Sequence, residues 1–415
     1  MARLSLGALV VASLSLSACN GSDSPADPSD LGTTPDPVTI QTLVVTGRGT
    51  ITDRYSAEVW ARGNHAYTTT WGGRGNPQVP GNTIYIWDVR AAPTLVDSVV
   101  VPDVRIGSPV RTLGDVQVSD DGKLLVVPTE PSPGSIEIYD LTDPVKPRNL
   151  ARFTSPNITR GVHTCELQRI NGTLYAFLSV NNSATHPSRL MIVDLSNPAM
   201  PTEVMFRDMG NPFIHDVFVR DGLLFTALWN DGMVIWDIGG GGKGGTLQNP
   251  IEIGRLVTKD GEVHNIWWFH NPVSAEKKYA FVGQEGPGTV LSASVGDIHV
   301  VDISNPALPR EVAFFTVPGA GTHNFSMDEA RGLLYAAYYN GGVQVLDVRG
   351  DLGSCTAAQK AADGRCDLRR MNRLVATGLL GQNPSVFVWG VFFAGDAVYA
   401  SDMNNGIWKL APVTR

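Results

Sequence analysis

Four histidines stand in matching short contexts: VHTCEL around His163, IHDVFV around His215, VHNIWW around His264 and THNFSM around His323. Imidazoles delivered from several strands to one place suit zinc, copper or iron, and imidazole is also the side chain that changes charge near neutral pH. The position after each histidine carries an oxygen-bearing group, Thr164, Asp216, Asn265 or Asn324, and two further copies put Glu58 and Asp115 there. In three copies the histidine itself gives way to Ala57, Gly114 or Trp389. Two readings stay open. His163, His215, His264 and His323, helped by Asp115 or Asp216, can form a site for a transition metal or a polar ligand; or each can hydrogen-bond within its own repeat or to the next one. Recurrence as part of a repeat favours the structural role. His65, His186, His270 and His299 fall outside this register and read as loop or surface residues.

Other chemistry is scarce. The sequence contains no GxSxG, HExxH or P-loop, and the run Gly239–Gly245 follows a strand instead of opening a helix, so it reads as a lengthened rim loop and not as a phosphate cradle. Trp267, Trp268 and Phe269 offer either a platform for a carbohydrate or peptide or packing between repeats. No catalytic residue is assigned, and the sequence points away from an enzyme.

The elements that must position these side chains are short apolar pentamers. Six end in Asp: Ile84–Asp88, Ile136–Asp140, Leu190–Asp194, Met233–Asp237, Ile298–Asp302 and Val343–Asp347; a seventh, Ile407–Ala411, loses it. The Asp stands before turn text such as Ser-Asn-Pro and reads as a turn former that accepts backbone N–H bonds. Ahead of the pentamers lie hairpins with tight turns at Asp121-Gly122, Asn171-Gly172, Asp221-Gly222 and Gly395-Asp396. Strand, turn, strand, loop, strand, Pro-rich turn, strand is a four-stranded antiparallel blade. Seven copies therefore predict an all-β, seven-bladed β-propeller. First strands line the channel of such a fold, so the four histidines should share one mouth. No outer strand follows the seventh copy. Asp36-Pro37-Val38 and Ile40–Thr46 (IQTLVVT) repeat the turn-plus-strand text, which predicts that residues near 36–47 complete the last blade and close the ring without a free edge.

The pentamer text, best seen as LMIVDLSNPAMP at residues 190–201, resembles the LVIVD repeat family. The resemblance covers residues 84–348 well and reaches 411 by weaker copies. It implies a β-propeller of a kind found in bacterial and archaeal surface or secreted proteins, and it implies almost nothing about activity.

Composition sets the remaining bounds. A chain of 415 residues is longer than one ordinary core supports, which suits a repeat array. With 43% hydrophobic and 17% charged residues, 44 Gly and 27 Pro, it is globular, strand-rich and turn-rich. A net charge of −8 without a basic run argues against nucleic acid as a partner. Arg3 precedes an apolar run, Leu4 to Ala18, that is too short to span a bilayer comfortably. Its end, Leu16-Ser17-Ala18-Cys19, resembles the bacterial lipobox, whose Cys is lipidated. Residues 1–18 are thus expected to be a signal peptide, 19–35 a flexible tether behind a lipid-anchored Cys19, and 36–415 a single propeller domain. With Asn20 after the cysteine, where such lipoproteins carry Asp for inner-membrane retention, the resemblance implies an outer-membrane or cell-surface destination. Export makes a Cys355–Cys366 disulfide the expected state, and Cys165 reads as a buried thiol. The functional expectation is an anchored binding or scaffold module for a protein, glycan or small-molecule ligand; the alternative is a metal-binding protein or metalloenzyme built on the histidines.

Overall fold

The structure is a computed structural model that describes residues 39–76, 78–102, 112–130, 134–210, 213–286 and 294–414. The expected signal peptide, Cys19 and the tether lie outside them. The described residues form seven antiparallel four-stranded blades, numbered here in chain order. The inner strands are Arg54–Arg62, Gln117–Val118, Val162–Ile170, Asp216–Arg220, Val263–Trp268, Phe325–Asp328 and Val388–Phe393. The helical content of the described residues is one 3-10 turn, Ala357–Gln359.

The core lies between the blades. Seven hydrophobic clusters occupy the seven interfaces, from blades 1 and 2 round to blades 7 and 1. This explains the apolar pentamers. Each is the third strand of its blade, and successive side chains leave a strand on opposite faces. Leu190 and Ile192 enter the cluster shared with blade 4, while Met191 and Val193 enter the one shared with blade 2. All four are fully buried, each contributing about 2 kcal/mol. A strand buried on both faces has no polar alternation to keep. Its terminal Asp then turns the chain: Asp140, Asp194 and Asp302 accept the N–H two residues on at 2.7 to 2.9 Å. The turns at Asn171-Gly172 and Asp221-Gly222 place both residues at positive φ, the type I′ geometry that matches strand twist.

The ring closes between the chain ends, with a register different from the expected one. Val45–Thr50 is the outer strand of blade 7, pairing from Val45 with Leu410 to Thr50 with Gly406. Only the end of the expected Ile40–Thr46 segment takes part. Gln41–Thr42 instead adds a parallel strand to the edge of blade 6, against Ala376 and Thr377. An outer strand is half solvated and needs little apolar text, so VTGRGT can form it. Cys355 and Cys366 are bonded, and Cys366–Asp367 covers the edge of blade 5 in the same parallel manner. Cys165 is a buried free thiol. His299 corrects its reading as a loop or surface residue: it lies in the third strand of blade 5, 1% exposed, with Glu311 at 2.8 Å from Nδ1 and Gln284 at 3.3 Å from Nε2.

Candidate functional site

A recurrent irregularity at the start of the inner strands builds the channel site. In blade 3, Val162 and Thr164 pair with the consecutive residues Val180 and Ser179, so His163 is an extra residue. His264 in blade 5 and Trp389 in blade 7 are extra in the same way, and blade 1 passes over Ala57 and Glu58. Such a bulge re-aims a side chain. The histidine and its successor consequently both line one channel cavity, where alternation alone would send them to opposite faces.

His163, His215, His264 and His323 converge. Nε2 of His163 lies 3.0 Å from Nε2 of His215. The ring centres of His215 and His264 are 3.9 Å apart, and those of His264 and His323 are 4.1 Å apart. The outer members of the row have fixed ring orientations. Nδ1 of His163 faces the Glu130 carboxylate at 2.9 Å, itself bonded by the Asn181 amide at 2.6 Å. Nδ1 of His323 faces the Trp389 carbonyl at 2.7 Å. Both partners only accept, so both rings donate from Nδ1, and His163 presents Nε2 to His215. Two residues outside the expected set complete the layer. Oε2 of Glu285 sits 3.7 Å from Nε2 of both His215 and His264, while its Oε1 accepts the Tyr339 hydroxyl. Burial holds His264 down at about 3 and His215 well below the usual imidazole range. Burial also works against the charged form of His163, but Glu130, Glu285 and Asp216 together outweigh it and raise that group.

Beneath the imidazoles lies a cavity of about 180 Å³. Its upper wall is the successor layer, with Glu58, Asp115 and Asp216; Glu166 and the aromatic rings of Trp60, Phe218, Trp267 and Phe392 line it further down. No lysine or arginine stands among its described lining residues. Burial foremost, and then mutual repulsion, lifts Glu58 to about 8 and Asp216 to about 7, and burial takes Asp115 to about 6. Glu166 is driven well above the carboxylate range by burial and by Asp216. Trp267 thus belongs to the channel, while Trp268 and Phe269 pack in the clusters on either side of blade 5.

With the geometry in place, comparison with known proteins is informative about type. Residues 184–207 and 292–317 match the LVIVD repeat. The chain is a β-propeller that carries two matches to that repeat. No curated protein matches the chain. Among solved structures, the crystal structure of the C-terminal WD40 domain of Sif2 superposes with a TM-score of 0.56 at 10% identity, covering 91% of this chain and 100% of that one. The likeness is one of fold.

In this propeller the four histidines, Asp115 and Asp216 all reach the channel cavity. The sequence reading left out Glu130, Asn181, Glu285 and Tyr339. These come from a second recurring place, one or two residues past the end of the second strands Leu124–Thr129, Thr173–Val180, Tyr279–Gln284 and Leu333–Ala337. The signal is a polar or aromatic residue directly after an apolar run, visible as VVPTE and FVGQE.

Proposed function

We propose that this propeller is a binding module, exported and held to the membrane by lipid on Cys19, that takes a small organic cation in its central channel. The observation that carries this reading is a chamber lined by four carboxyl groups and several aromatic rings, with no lysine or arginine in its described walls. Anions would find no lysine or arginine to pair with there. A cation would instead supply the missing countercharge and hold those groups ionised, and its apolar flank would rest against ring faces that attract positive charge. The chamber is concave and largely preformed, as small-molecule sites are. The fold by itself names no ligand.

The test is calorimetry and thermal unfolding at pH 7 with propylamine and tetramethylammonium, against propanol and propionate. The cations should raise the melting temperature, and their binding should release protons in proportion to the carboxyl groups that ionise. Equal stabilisation by propanol or propionate would overturn the reading. So would unchanged cation binding in a folded Glu58→Gln, Asp216→Asn double variant.

A further inference from the structure

The imidazole layer carries a second inference, independent of what enters the chamber below. His264 is 1% exposed and neither of its ring nitrogens has a hydrogen-bond partner of normal geometry, although the Asn265 amide is near enough to favour its charged form slightly. Nδ1 of His215, 6% exposed, is unpartnered as well. Leaving a buried polar atom without a partner is destabilising, so this pair is expensive to keep unless something binds it.

The donor set is that of a transition metal. One ligand atom each from His215, His264 and Glu285 lies within 4.8 Å of the other two. The two Nε2-to-Oε2 separations are 3.7 Å. A tetrahedral ion with bonds of ~2.1 Å sets its ligands ~3.4 Å apart, so shifts of a few tenths of an ångström would complete both edges. Supporting bonds of the kind that orient metal ligands are already present. Tyr339 holds Oε1 of Glu285, leaving Oε2 to the imidazoles. Glu130 holds Nδ1 of His163, whose Nε2 stands 3.0 Å from that of His215.

We propose that His215, His264 and Glu285 bind one borderline divalent ion of the zinc, copper, nickel or iron class. Imidazole and carboxylate together suit these ions and not calcium or magnesium, which take all-oxygen sets. His323 serves beside them, packing against His264 with its Nδ1 committed to a carbonyl.

The experiment uses the full chain without a histidine tag, stripped with chelator and then dialysed separately against Zn(II), Cu(II), Ni(II) and Co(II). Elemental analysis should find one ion per chain for at least one metal, and bound Co(II) should show the visible absorption of a low-symmetry nitrogen and oxygen site. His264→Ala and the near-isosteric Glu285→Gln should each weaken binding at least 100-fold, and Tyr339→Phe 10- to 100-fold. His186→Ala, an exposed control, should change nothing. Failure to retain any of these ions stoichiometrically would overturn the proposal, as would full occupancy in a folded Glu285→Gln chain.

Discussion

Val45 pairs with Leu410, so Val45–Thr50, near the start of the described chain, and the last strand lie side by side in one blade. A propeller closed in this way has no free edge at the seam.

Closure depends on glycine at this seam. A Cβ on Gly49 would lie 2.4 Å from Cζ3 of Trp87 and 2.9 Å from Cγ2 of Ile407. Trp87 is 1% exposed and its indole N–H is bonded to Thr68, so it has little room to yield. Gly49→Ala should therefore cost about 1–3 kcal/mol by overpacking, read from urea unfolding. Deletion through Thr50 should do more, exposing Gly406–Leu410 as an edge and producing oligomers on gel filtration. A deleted chain that stays monomeric with an unchanged midpoint would remove the seam from the account of stability.

Glu58 sets a pH dependence. Burial first, then Asp115, raises it from an ordinary 4.5 to about 8. A folded-state pKa above the unfolded one means that the stability it contributes is complete below pH 4.5 and is lost as pH rises through 8. The slope is at most ~1.4 kcal/mol per pH unit for one group. Glu58→Gln cannot ionise, so its stability relative to the parent chain should improve steadily between pH 5 and pH 8. Parallel unfolding curves for the two proteins across that range would refute the assignment.

How far the sequence foretold all this depends on what each residue faces. Leu190–Asp194 was legible because burial on both faces leaves an unbroken apolar run, and six other third strands share the constraint. The histidine register was legible because every inner strand faces the same channel. Glu285 was not, since it follows a different strand and meets His215 only when blades 4 and 5 stand side by side. Nor was the bulge, which needs the partner strand to be seen. The closing strand was shifted because IQTLVVT is the more strand-like text, whereas the seam selects the glycines of VTGRGT for their fit against Trp87 and Ala92.

The Cys355–Cys366 bridge should act locally. It closes a separation of 11 residues, for which the loop-entropy estimate is about 3 kcal/mol. The segment it secures pairs Cys366 with Ala313, and Leu368 N–H donates to the Phe314 carbonyl at 2.9 Å. In a Cys355→Ser, Cys366→Ser chain the Leu368 amide should exchange faster while third-strand amides such as that of Leu190 keep their protection. Equal exchange at Leu368 in both proteins would mean that packing on blade 5, and not the bridge, holds the segment.

The glycine run between the third and fourth strands of blade 4 makes the last prediction. Gly239–Gly245 gathers backbone N–H groups as an anion nest would, but the anion is the protein's own. Oδ1 of Asp237 accepts from Gly239 and Gly241, both at 2.8 Å, and Oδ2 accepts from Lys243 at 2.6 Å and Gly245 at 3.1 Å. Glycine is needed for the closeness of the wrap: a Cβ on Gly245 would fall 2.0 Å from the Asp237 carbonyl oxygen. Burial of this carboxylate, 1% exposed, opposes its charge, yet the four donors outweigh that and hold it at about 2 instead of 3.8. A depressed pKa contributes stability that is complete above pH 3.8 and lost as pH falls through 2, about 2 kcal/mol in all. Asp237→Asn places an amide N–H against donors in at least one direction. It should lower stability at pH 7 by that amount or more, and it should flatten the acid limb of the unfolding profile between pH 4 and pH 2. If the Asn chain matched the parent at pH 7 and kept the same acid limb, the loop would owe its shape to glycine alone.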